Sequence, residues 1–128
     1  MSASQNNLTL TLNQQDSSGT NILNRTIGAI SYAGIVGVFR DGILTGTGSA
    51  SQTVPTATVL QFYFKNTHAT AKITVTWTPN GGSSAVVQAV GPGGVLIFWM
   101  PASLTNGITA LSYQSDTAGA TFEDFIGG

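Results

Sequence analysis

His68 is the single histidine of the chain, and Asp16, Asp41, Asp116, Glu123 and Asp124 are its only acids; there is no cysteine. These residues are the whole inventory for general acid–base or metal chemistry near neutral pH. A nucleophile–His–acid relay needs all three groups to converge, and no Gly-x-Ser-x-Gly elbow is present to offer a serine. His68 lies in Lys65-Asn-Thr-His-Ala-Thr70, which reads as an exposed connection between two strands, so a surface-loop histidine is the better reading. Glu123 and Asp124 are adjacent on an expected strand and must point to opposite faces, so they cannot act as a pair. Asp41 and Asp116 stand beside turn residues, where Asp commonly caps its own backbone. A glycosidase pair would have to come from two distant acids, and no alternating run of Asp or Asn supplies a calcium loop. Gly91-Pro-Gly-Gly94 and Gly46-Thr-Gly48 lack the Gly-Lys-Ser/Thr ending of a phosphate cradle and read as turns. The expectation is therefore a non-enzymatic chain with no catalytic, cofactor or metal site.

The aromatic residues carry more. Phe62, Tyr63, Phe64, Trp77, Phe98, Trp99, Tyr113, Phe122 and Phe125 crowd the second half of the chain. Phe98 and Trp99 are adjacent, so on a strand one faces each side. Core packing plus a subunit interface is favoured over a sugar-stacking platform, with Tyr63, Trp99, Tyr113, Phe122 and Phe125 as the candidate interface.

The surface points the same way. Charged residues make up 7% of the 128 residues, against about 25% in ordinary soluble domains. Charge keeps folded monomers apart in solution, and interface cores are depleted in it. With a net charge of -1, the basic residues Arg25, Arg40, Lys65 and Lys72 are too few to follow a phosphate backbone, so neither nucleic acid nor an anionic membrane is an expected partner. No signal-peptide pattern is visible at Met1-Ser-Ala-Ser-Gln-Asn-Asn, and the run Val95–Met100 is far short of the roughly 20 residues of a membrane span. Manufacture in the cytoplasm is expected.

The elements that must position these residues are strands throughout. Leu8, Leu10 and Leu12 alternate with Thr9 and Thr11. Leu60, Phe62 and Phe64 share one face of Thr58–Lys65, and Ile73, Val75 and Trp77 share the inner face of Lys72–Thr78. Further strands are predicted over 85–90, 95–100, 108–113 and 120–126, separated by Asn80-Gly81, Gly91-Pro-Gly-Gly94 and Asn106-Gly107. Between Thr20 and Val54 the apolar spacing is mixed; two strands, 25–32 and 34–40, an Asp41-Gly42 hairpin turn and a flexible polar loop over 46–53 are expected. About eight to nine short strands make an all-β, two-sheet β-sandwich, jelly-roll-like, over 8–128, with residues 1–7 as a flexible N-terminal arm.

Asn66-Thr-His-Ala-Thr-Ala-Lys-Ile-Thr-Val-Thr-Trp77, Val90-Gly-Pro-Gly-Gly-Val-Leu96, Gly107-Ile-Thr-Ala-Leu-Ser-Tyr113 and the aromatic–acidic ending Ala120-Thr-Phe-Glu-Asp-Phe-Ile-Gly-Gly128 resemble the small β-sandwich structural proteins of tailed bacteriophage virions. The resemblance covers about the last sixty residues. It implies a non-enzymatic virion component, such as a capsid decoration (cement) protein or head fibre, that forms a homotrimer and contacts a major capsid protein. Segments Ser2–Asn7 and Phe125–Gly128 are expected as free ends able to add a strand to a neighbour's sheet. A carbohydrate-binding or host-adhesion module on the same fold is the alternative expectation.

Overall fold

The computed structural model describes residues 4–34, 37–54, 58–80, 84–100 and 107–128. Those residues form ten strands and no helix. Strands β1 (Ser4–Gln15) and β2 (Asn21–Gly34) pair only with each other, as a two-stranded antiparallel arm. The body follows: β3 (Gly37–Leu44), β4 (Ala50–Ser51), β5 (Gln61–Asn66), β6 (Ile73–Pro79), β7 (Val86–Val90), β8 (Val95–Trp99), β9 (Ile108–Ser115) and β10 (Ala120–Gly127). One sheet has the order β3-β10-β5-β8 and the other β4-β9-β6-β7. Counted from β3, the first strand pairs with the last, the second with the seventh, the third with the sixth and the fourth with the fifth. That is a ribbon wound into two facing sheets, the jelly-roll order expected from the strand count and turn spacing.

The alternation in the sequence decides which face each strand buries. Phe62 and Phe64 on β5, Phe122 and Ile126 on β10, and Ile73, Val75, Leu111 and Tyr113 from the opposite sheet are all buried. At the centre Phe64, Tyr113 and Phe122 meet ring to ring, with centroids 4.8, 5.0 and 5.7 Å apart. Such tilted, edge-on and stacked contacts contribute about 0.5–1.5 kcal/mol per pair beyond the area they bury.

Four expectations change. Asp41-Gly42 is no turn: both residues lie inside β3, which pairs with β10 along its whole length. Gly42 is needed there because a Cβ would sit inside the Phe122 ring. Residues 4–7, expected in a flexible arm, lie in β1, where Asn6 and Asn7 pair across to Tyr32 and Ser31; residues 1–3 lie outside the described residues, and the arm is the β1–β2 hairpin. The ending Phe125–Gly128 is no free end either. Phe125 to Gly127 lie in β10, hydrogen-bonded between β3 and β5, and Ile126 is buried. The polar stretch 46–53 contains the short strand β4, paired with β9. Turn expectations at Gly81 and Asn106 lie outside the described residues.

Candidate functional site

The outer face of the β3-β10-β5-β8 sheet carries what the inner face does not. Register places Phe39, Phe125, Tyr63 and Ile97 in one row across it, with Gln61 and Trp99 paired in the next. Trp99 and Phe125 stack at 5.5 Å between centroids. The Tyr63 hydroxyl donates to Glu123 Oε1 at 2.7 Å, and burial together with the Glu123 charge pushes the phenol up to about 12. The base of the arm lies over this face. Asn6 Nδ2 donates to Gln61 Oε1 at 3.0 Å, and Gln61 Nε2 donates to the Met100 carbonyl at 2.7 Å, so the buried Gln61 amide is used from both ends. Between arm and sheet a groove of about 460 Å³ is lined by Gln5, Asn6, Asn7, Leu8, Phe39, Tyr63, Trp99 and Phe125.

Of the expected interface residues, Tyr63, Trp99 and Phe125 come together in this groove. Tyr113 and Phe122 do not. Both point between the sheets, buried in the core, because inward parity on β9 and β10 places them opposite Phe64. Phe39, Leu8 and the amides of Gln5 to Asn7 join the groove without having been singled out; no sequence signal links the first strand to β5 and β8. Phe98 does face inward against the core while Trp99 faces out, as adjacency on a strand requires.

Four of the five acids have structural employment; Asp41, exposed on β3, does not. Asp124 is fully buried and takes a two-point contact from Arg40, Nε to Oδ1 at 2.9 Å and Nη2 to Oδ2 at 3.0 Å, plus the Tyr113 hydroxyl at 2.6 Å. Arg40 also donates to Gln52 Oε1, which holds β3 to the loop beside β4. The Asp124 hydrogen bond raises the Arg40 pKa, and burial first, then the Asp124 charge, raises that of Tyr113. Glu123 faces out beside Tyr63, so the two adjacent acids do point apart. Asp116 accepts from the Lys72 amide at 3.1 Å, and Asp16 holds the arm's tip through the Ser18 hydroxyl and the Ser18 and Thr20 amides. His68 Nδ1 accepts from the Thr70 and Ala71 amides, tying the β5–β6 connection. Each group holds backbone or core in place. The groove, by contrast, offers flat apolar rings beside neutral amides, a surface suited to binding. Comparisons with protein-family models, with curated proteins and with solved structures give no match.

Proposed function

We propose that this chain is a non-enzymatic structural subunit of a virion, of the capsid decoration or cement type, acting as a homo-oligomer on a shell of other virion proteins. One observation carries the reading: a charge-poor jelly roll leaves Leu12, Ile22, Leu23, Val38, Phe39, Ile43, Val86, Val87 and Val95 exposed. Leu12 and Leu23 share one face of the arm and Phe39 and Ile43 the outer face of β3; contiguous apolar patches mark association surfaces, and a partner that binds only the folded form adds stability by mass action. The test is the protein content of purified particles of the virus encoding the chain. Recovery at a fixed copy number per shell supports the reading, and absence from intact particles overturns it.

A second reading has its own observation. Tyr63, Trp99 and Phe125 stand beside Gln5, Asn6 and Asn7 in one groove, the combination that stacks on a sugar ring and hydrogen-bonds its hydroxyls. In this reading the chain is a host-adhesion module. Titration with neutral oligosaccharides, followed by tryptophan fluorescence in wild type and Trp99→Ala, decides it: a saturable change lost in the variant supports sugar binding, and a flat wild-type response removes it.

A further inference from the structure

We infer that the distal half of the arm docks on the outer face of β3 in a second copy of this chain, Leu12 and Leu23 against Phe39 and Ile43 and Arg25 against Asp41. The inference rests on the homo-oligomer reading and names its contact. Pairing of Leu12 with Arg25 and of Gln14 with Leu23 places Leu8, Leu10, Leu12, Leu23 and Arg25 on one face of the arm. Leu8 borders the groove of its own body, whereas Leu12 is 52% and Leu23 46% exposed. The apolar stripe outruns its cover. A two-stranded ribbon alone in water is marginally stable at best, so the far half of this arm needs a surface.

The body displays a matching one. Alternate residues of β3, an edge strand, point outward as Phe39 (57% exposed), Asp41 and Ile43 (59% exposed). On β3 Asp41 stands between Phe39 and Ile43, and on the arm Arg25 lies directly across from Leu12 with Leu23 two residues along β2, so each surface sets one charge, of opposite sign, beside two apolar side chains. The charges argue for this pairing. Asp41 lies directly across from Glu123 on β10, and like charges so placed destabilise a sheet. Lys65 stands on the far side of Glu123, next to β10 but two strands from Asp41. Among the described residues the one ion pair is Arg40–Asp124, leaving Arg25, the arm's cation, and Asp41 without partners. Both halves of the contact belong to one chain and occupy different patches on it, so copies can exchange arms reciprocally across a two-fold axis or join head to tail and close into a ring if the rotation permits.

Sedimentation equilibrium and light scattering of the full chain over a wide concentration range test it, with Arg25→Glu, Asp41→Arg and the double reversal. Both positions are exposed, and circular dichroism confirms that each variant folds. An oligomer whose dissociation constant rises at least about tenfold in each single variant, and returns to within about threefold of wild type in the double, supports the inference. A wild-type monomer at every concentration overturns it, as does an oligomer indifferent to the reversals or a double variant no better than the singles. So does saturable binding of a neutral oligosaccharide in the groove of a chain that stays monomeric. The particle assay of the proposed function is independent: a chain present in particles but with an oligomer indifferent to Arg25 loses this contact and keeps that role.

Discussion

At the scale of single residues, the inner ion pair and the outer tyrosine make opposite kinds of contribution. Removing Arg40 strands a fully buried carboxylate with only the Tyr113 hydroxyl as donor, so Arg40→Met should cost about 3 kcal/mol, at the low end of buried-pair losses because the Arg40 side chain is 36% exposed. Arg40→Met with Asp124→Leu should cost less than Arg40→Met alone, since no charge is left behind. Urea unfolding of the variants checks both, and a double variant weaker than the single would mean that Asp124, through the Tyr113 hydroxyl, stabilises the core even without Arg40. Tyr63 predicts a pH dependence. Its folded pKa, pushed up to about 12, lies above the ordinary value near 10, so the folded state keeps a proton that the unfolded state sheds. Its contribution is therefore complete below pH 10 and is lost as pH rises from 10 to 12. Tyr63→Phe should show a shallower fall in stability across that window, read from unfolding curves at fixed temperature.

At the scale of elements, the same alternation that exposes one face of a strand made most of the fold legible. Ile73, Val75 and Trp77 alternate with threonines, and β6 buries Ile73 and Val75 in the core as read, with Trp77 half-buried against it. Glu123 and Asp124 had to part, and one faces Tyr63 while the other faces Arg40. What was illegible depends on contacts distant in sequence. Asp41-Gly42 has hairpin chemistry locally, but β3 is fixed by β10, some 80 residues on, and the missing Cβ is explained only by the Phe122 ring above it. Likewise the arm hides because Leu8 to Leu12 read as an ordinary sheet strand, while nothing local says that only β2 pairs with it. The groove inherits this, since half of its lining comes from the arm. Gly42→Ala should cost about 1–3 kcal/mol by overpacking, and most of that cost should vanish when Phe122 is already Ala. Thermal unfolding of the four proteins of this cycle gives the coupling, and additive losses would place the strain elsewhere.

At the scale of the molecule, the chain divides into a body with every strand paired in a sandwich and an arm with one partner strand. Their stabilities should differ accordingly. Amides of β5, β6, β9 and β10 lie inside sheets that bury the aromatic core, so their exchange with solvent should require global opening. The arm's far half is held by cross-strand bonds and by its tip, where Asp16 accepts from Ser18 and Thr20 and Gly19 takes a positive φ of 85°. Those bonds set a shape without burying apolar surface. At high dilution, amides of Leu10–Gln15 and Asn21–Arg25 should therefore exchange by local opening, orders of magnitude faster than β10. If a second copy covers Leu12 and Leu23, raising the protein concentration should slow the arm and leave β10 unchanged, because docking stabilises only the docked form. Hydrogen exchange by mass spectrometry at two concentrations reads this directly. An arm equally fast at both would mean that a surface of another protein must cover it. An arm as slow as β10 at high dilution would mean that the hairpin is stable without any cover.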